Sequence, residues 1–297
     1  MVLSIIICTY NRCKFLQKCI NSIIDQINEQ NDIEIIIVDN NSNDGTKKLI
    51  ENYNINFINY HLETKQGLSS ARNKGIKESK GKYLAFVDDD ATINKNWLES
   101  LLKHINKKSH NHIYGGPIYP NFEIDCPEWI DKQYFKRIFK KTDGYLNNLV
   151  AQDGFSGGNM CIPKSVFEKI GFFNTNLGMV GNELGLGEES ELFFRIYNKL
   201  DNIKLYNINE MSINHFEAKF KLEKQYLKKR IKLSSTQFTN RLLKKNNFKS
   251  YIFIYGKLIK QVLNLLLNFI LSIIKMKKKF HYLKNYWIIL GIRKSIF

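Results

Sequence analysis

The chain is 297 residues long, 43% hydrophobic and 25% charged, a globular composition with ample material for a core and room for one or two domains. Its five cysteines form no CxxC pair and have no histidine at zinc spacing, so a zinc-binding module is not expected and reduced thiols are. The net charge of +17 is uneven: 20 of the 45 basic residues but only 2 of the 28 acidic ones lie from Phe216 onward, leaving a near-neutral body and a strongly basic tail.

The opening MVLSIIICTY enters a β-branched strand without a basic n-region or a small-residue cleavage site, so no secretory signal is expected. Residues 3–8 (LSIIIC) read as a buried strand, which breaks at Thr9-Tyr10-Asn11-Arg12. Phe15, Leu16, Cys19, Ile20, Ile23, Ile24 and Ile27 then recur at helical spacing. A second strand over 33–38 ends at Asp39, and the turn Asn43-Asp44-Gly45-Thr46 leads into a helix over 47–53. A short strand over 56–60, the segment Gly67 to Asn73 with a helix to about residue 79, and a fourth strand over 83–87 follow. This β-α-β-α-β-α-β rhythm predicts an α/β fold with a mostly parallel, doubly wound, Rossmann-like sheet.

The fourth strand runs into Asp88-Asp89-Asp90. In open α/β sheets the carboxyl edge of the strands is where ligands bind. Three adjacent carboxylates repel one another unless a cation or solvent screens them, and oxygen ligands suit a hard ion such as Mg2+ or Mn2+. A solvated Asp-rich turn is the plainer alternative. Asp39 sits at the same edge, where a carboxylate can accept bonds from a base or a ribose hydroxyl, although Asp after a strand is also an ordinary turn former. The guanidinium of Arg72 suits a diphosphate clamp. Neither GxGxxG nor GxxxxGK[ST] occurs, so neither a dinucleotide fingerprint nor a P-loop is present.

Taken together, IIICTYNR, VDNNSNDGT, GLSSARNKGI and YLAFVDDDA, in that order and spacing, resemble the amino-terminal half of a family 2 glycosyltransferase with the GT-A fold. FSGGNMCIPKSVFEKIGFFNTNLG (155–178) resembles the acceptor-side segment, and GEESELFFRI (187–196) the helix start that carries the catalytic base. The likeness covers residues 3–217. It implies a glycosyltransferase domain over 1–217, with a nucleotide-binding half over 1–115 and an acceptor-side half over 116–217.

By this resemblance Thr9, Tyr10, Arg12, Asp39 and Arg72 line or hold the nucleotide, together with Asp88 and the middle aspartate Asp89. Asp88 and Asp90 are the outer members of an Asp-x-Asp metal motif, and His215 is a third candidate ligand for Mn2+ or Mg2+. Gly157, Gly158 and Asn159 shape the donor and acceptor pocket, and Trp129 is a candidate for stacking on an acceptor sugar, a lid packed on its own aromatics being the other reading. Glu189 stands where the family usually has Asp as general base, after Glu188, with Glu191 a third acid on the same helix. The chemistry asks for such a group independently: a sugar hydroxyl is a poor nucleophile and needs a carboxylate to take its proton. One carboxylate and one metal suffice for single displacement, and the resemblance implies inversion.

Residues 223–249 are helical in pattern and Lys-rich, and 251–274 are largely apolar. Lys257 and Lys260 interrupt that run, which argues against a spanning helix. Lys260, Asn264, Asn268 and Ser272 form a polar stripe, flanked by Lys275, Lys277, Lys278 and Lys279, as on a helix lying in a membrane interface. Tyr286 and Trp287 add interfacial aromatics, while a buried helix or an oligomer contact is the alternative. The long apolar runs do not suit nucleic acid.

The resulting expectation is a cytoplasmic enzyme, peripheral on the inner face of the cell membrane, with a basic, amphipathic helical tail over 218–297 that meets an anionic membrane through 250–297. It moves a sugar, most simply from a UDP-sugar donor, to a glycan or lipid-linked glycan in surface polysaccharide synthesis. A catalytically silent glycan- or lipid-binding protein on the same fold is the main rival, and a sugar nucleotidyltransferase the lesser one, lacking its glycine-rich phosphate loop.

Overall fold

The computed structural model describes residues 1–28, 32–107, 111–146, 154–244, 248–273 and 279–296. The chain divides into two compact units. The first comprises residues 1–121, 136–183 and 188–216, and the second 122–135, 184–187 and 217–297.

In chain order the first unit begins β1 (Leu3–Thr9), α1 (Cys13–Ile24), β2 (Ile33–Asp39), α2 (Thr46–Tyr53), β3 (Ile58–Leu62), α3 (Leu68–Glu78) and β4 (Tyr83–Asp88). It continues with β5 (Ala91–Ile93), α4 (Trp97–Lys107), β6 (His112–Gly115), β7 (Ile118–Phe122), β8 (Gly144–Tyr145), β9 (Asn159–Pro163), α5 (Lys164–Ile170), α6 (Glu188–Lys199), β10 (Lys204–Asn207) and β11 (Ile213–Glu217). The main sheet has the order β3-β2-β1-β4-β9-β6-β10-β8, and β5-β11-β7 form a smaller one.

Strands β1, β2 and β4 are β-branched or apolar along their whole length because both of their faces are covered. Leu3, Ile5 and Ile7 pack on one side with Leu16, Cys19, Ile20 and Ile23, which recur along one face of α1. Ile6 points to the other side, into a cluster with Ala71 and Ile76 of α3 and Leu192, Phe193 and Ile196 of α6. The parallel expectation holds for β3, β2, β1 and β4. Strand β9 departs from it, running antiparallel between β4 and β6.

Register sets the ligand edge. Thr9 is opposite Asp39, and Cys8 is opposite Asp88, so three loops leave the sheet side by side. The chain then turns at Asp89-Asp90 into β5, which pairs antiparallel with β11 and sets Ala91 opposite His215.

The second unit contains α7 (Lys224–Leu243), α8 (Phe248–Ile273) and α9 (Lys279–Ile296), together with 122–135. The expectation for 116–217 counts that last segment with the acceptor-side half. It belongs here because Cys126, Ile130 and Phe135 bury against Leu222, Leu227, Phe280 and Trp287.

The polar stripe expected on α8 is turned the other way. Asn268 is only 9% exposed and Asn264 and Ser272 are half-buried, while Leu263 is 62% exposed. Lys260 alone of the stripe is exposed, and Lys275, Lys277 and Lys278 lie outside the described residues.

Candidate functional site

Asp88 ends β4, and Asp90 lies two residues on in the turn. The pairing of β5 with β11 carries His215 to them: its Nε2 is 3.1 Å from Asp90 Oδ1 and 3.7 Å from Asp88 Oδ2. One ligand atom from each of these residues lies within 4.8 Å of the others. Two carboxylates and an imidazole nitrogen are a donor set suited to a divalent ion such as Mn2+ or Mg2+. Burial pushes the pKa of Asp88 up, against the opposing pull of Arg72 and His215, with Asp90 and Glu189 adding to the rise. Such a site favours a further cation.

The middle aspartate has another task. Thr9 Oγ1 donates to Asp89 Oδ2 at 2.8 Å, and Arg12 Nη1 lies 3.0 Å from both Asp89 Oδ1 and Asp90 Oδ2. Burial pushes Asp89 up to about 6 despite Arg12. Thr9, Arg12 and Asp89 therefore brace the acidic turn, and the side chains of Thr9 and Asp89 are buried in doing so. Cys8 lies beside them, its thiol pushed up to about 12 by burial, which makes it a neutral packing group and not a nucleophile.

Asp39 is buried, accepting the Ser42 N–H at 2.8 Å and the Tyr60 hydroxyl at 2.9 Å. Its neighbour Asn40 ties down the next loop, donating Nδ2 to the carbonyls of Glu63 and Lys65 and accepting the Gly67 N–H. Tyr10 is half-buried at the same edge.

Arg72 of α3 joins two groups of carboxylates. Nη1 is 3.1 Å from Glu188 Oε1 and 3.5 Å from Glu189 Oε1, and Nη2 is 3.6 Å from Asp88 Oδ1. Phe173 closes one face of the guanidinium, 5.4 Å from its ring centroid. Burial by itself would lower the Arg72 pKa, but Glu189, Glu188 and Asp88 together hold it above its ordinary value.

The three acids of α6 have different environments. Glu191 is forked onto Arg195 at 2.8 and 2.9 Å. Glu188 is buried and pushed up to about 8 by desolvation and by Glu189, and its Oε2 has no hydrogen-bond partner among the described residues. Glu189 keeps its side chain 25% exposed and accepts the Gly157 N–H at 3.1 Å. Of the three it is the carboxylate with access to solvent and no forked partner.

Gly157 and Gly158 are glycines because the backbone passes too close for anything larger. A Cβ at Gly157 would overlap Glu189 Oε1 and Arg72 Nη2, and one at Gly158 would overlap Asp88 Oδ2. Asn159 is fully buried, accepting Trp97 Nε1–H at 2.9 Å and donating to the carbonyls of Met211 and Pro117. It fixes the strand behind the two glycines and presents no polar atom to a ligand.

Trp129, expected to stack on an acceptor sugar, lies outside the unit that holds this cluster. It belongs to the second unit, where its ring packs 6.1 Å from that of Phe280. Sequence reasoning missed the braces: Tyr60 on Asp39, Trp97 on Asn159 and Arg12 on the acidic turn join residues 21, 62 and 77 or 78 positions apart. No local pattern announces such pairs.

Comparison with known proteins gives this geometry a context. The model of glycosyl transferase family 2 matches residues 4–171. A glucosyl-dolichyl phosphate glucuronosyltransferase of Haloferax volcanii is 24% identical over 230 residues, covering 76% of this chain and 73% of that protein. A GalNAc(5)-diNAcBac-PP-undecaprenol beta-1,3-glucosyltransferase of Campylobacter jejuni is 30% identical over 199 residues, covering 66% of this chain and 59% of that protein. The chain therefore spans less than two thirds of the second relative.

Among solved structures, S. aureus TarS 1-349 in complex with UDP-GlcNAc superposes with a TM-score of 0.53 at 20% identity, over 80% of this chain and 66% of that one. GalNAc-T7 with UDP, GalNAc and Mn2+ does so with a TM-score of 0.57 at 16% identity, over 81% and 50%. These two support the fold. With a family match over more than half of its length and the acidic strand end, paired glycines and acid-rich helix start in one cluster, the chain belongs to glycosyl transferase family 2.

Proposed function

We propose that the protein is a metal-dependent, inverting glycosyltransferase that moves a sugar from a UDP-sugar to a hydroxyl of a lipid-linked glycan in surface polysaccharide synthesis. The observation that carries this reading is the joining of the Asp88–Asp90–His215 cluster to Glu189 through the single guanidinium of Arg72. Asp88, Asp90 and His215 would hold a Mn2+ or Mg2+ ion, which when bound supplies charge neutralisation for a departing nucleoside diphosphate.

Each remaining part has a role for this chain's own atoms. Glu189 takes the proton of the attacking acceptor hydroxyl at Oε1 or Oε2, and the Gly157 N–H helps hold that carboxylate in place. Arg72 keeps Glu189 and Asp88 at a fixed separation, and Glu188 accepts a hydrogen bond from it on the buried side. Tyr10 and Asp39 line the nucleotide end, and Thr9, Arg12 and Asp89 keep the acidic turn in shape.

UDP as the donor nucleotide draws support from the two solved structures of like fold, which hold UDP or UDP-GlcNAc. The lipid-linked acceptor draws support from the undecaprenol-linked substrate named for the Campylobacter relative. With such an acceptor the protein would work at a membrane surface, and we place it there as a peripheral enzyme on the cytoplasmic face.

The test is release of UDP from a panel of UDP-sugars with Mn2+ and a polyisoprenyl-linked glycan acceptor, followed by the anomeric configuration of the product. Acceptor-dependent turnover with inverted configuration is the expected result. Retention of configuration, or turnover unaffected by chelator, would overturn the corresponding part of the reading.

A further inference from the structure

Helix α8 is inside out for a helix in water. Its outward side carries Ile252, Ile259, Leu263, Leu266, Ile270 and Ile273, which fall along one helical face and are all exposed. The opposite side, packed within the second unit, holds Ile254 and Leu258 but also Gln261, Asn264 and Asn268. A helix that buries amides and presents isoleucine and leucine has its polarity set for an apolar surround. Tyr251–Ile273, 23 residues, is also the one stretch among the described residues long and apolar enough to cross a membrane.

Two observations identify the occupant of that face. The first is charge: no Asp or Glu occurs among residues 224–297, while lysines bracket the apolar run at 244, 245 and 249 before it and at 275, 277, 278 and 279 after it. A second copy of this chain would bring like charges together, whereas an anionic bilayer complements them. The second is the neighbour. The ring of Tyr282 on α9 lies 5.5 Å from Phe269 on α8, and α9 is seated on α7, where Thr236 Oγ1 donates to the Gly291 carbonyl at 3.0 Å. Crossing the bilayer would drag α9, with Lys279, Lys284, Arg293 and Lys294, into hydrocarbon.

We propose that α8 is a monotopic anchor whose outward face sinks into the interface of an anionic bilayer without crossing it. This rests on the reading of the protein as an enzyme of the membrane surface, and it names the element and the mode of contact. The polar inner side keeps α8 docked in its own unit while the outer side is solvated by acyl chains.

The experiment is flotation of the full-length protein with sealed vesicles of phosphatidylcholine alone or with a quarter phosphatidylglycerol. Wild type is expected to float with the anionic vesicles, and Leu263→Glu/Ile270→Glu to lose at least tenfold in partition. Both replaced side chains are exposed, so the variant should keep its circular dichroism and its UDP binding. Trypsin added outside wild-type-loaded vesicles should cut in the 275–279 cluster. Unchanged flotation of the variant overturns the proposal, and so does protection of that cluster, which would mean a spanning helix. Failure of wild type to float, with self-association abolished by the variant, assigns the face to a second copy and likewise overturns it. UDP binding, read in parallel, separates any of these outcomes from failure of the glycosyltransferase reading.

Discussion

Arg72 Nη1 donates to Glu188 Oε1 at 3.1 Å, a hydrogen bond between residues 116 positions apart whose side chains are 3% and 5% exposed. A buried charge without its partner costs about 3–5 kcal/mol. Arg72→Ala should therefore destabilise the protein by an amount in that range, read as a fall in urea midpoint. Arg72→Lys should restore little of it, because an ammonium cannot reach Asp88, Glu188 and Glu189 as a planar fork does. A lysine variant of wild-type stability and activity would show that Arg72 is not the junction described.

The acids of α6 should separate cleanly by mutation. Glu189→Gln removes the proposed proton acceptor and should lower kcat by roughly 10²–10⁴-fold while UDP and metal binding persist. Glu191→Gln breaks only a partly exposed pair with Arg195, of a kind that contributes about 0–1 kcal/mol, and should leave kcat within about twofold. Equal losses in the two variants would remove Glu189 from its role.

Gly158→Ala tests the close approach of backbone to Asp88. Its new Cβ must displace Asp88 Oδ2, and a shift of about 1 Å in a catalytic group can cost roughly 10²-fold in rate. Metal-dependent UDP binding should weaken in parallel. A variant with normal binding and turnover would mean that Asp88 adjusts freely and that its position is not what the glycine protects.

Stability should depend on pH with a definite sign. Burial raises Glu188 from 4.5 to about 8 and Asp89 from 3.8 to about 6. Between the ordinary and the raised values the folded chain holds protons that the unfolded chain has released, so stability falls as pH rises through that window. The metal-free protein should lose Tm between about pH 3.8 and 8, and Glu188→Gln should flatten the part above pH 6. A profile unchanged by that substitution would contradict the buried, protonated state of Glu188.

Much of this was legible in the residues themselves. Unbroken apolar strands such as IIIC and IEIIIV announce a sheet covered on both faces, and their polar ends locate its ligand edge. The acid motif at 88–90 stands out as three carboxylates closing an apolar strand at the ligand edge, and the start of α6 as three glutamates in one turn. The antiparallel β9 was not legible, since NMCIP carries no sign of strand direction. Nor was the orientation of α8. Its polar stripe reads as water-facing by amphipathicity, but that pattern has two solutions, and packing against α9 selects the one with amides inside. His215 could be no more than a candidate, because its approach to Asp90 depends on the pairing of β5 with β11 across more than a hundred residues.

The central claim is that Asp88, Asp90 and His215 hold the metal through which a nucleoside diphosphate is bound, and calorimetric titration of UDP with and without Mn2+ tests it most directly. Wild type should bind UDP only when Mn2+ is present, and Asp90→Asn and His215→Ala should each weaken that binding while retaining the fold. UDP binding that is indifferent to Mn2+ and unchanged in both variants would contradict the account.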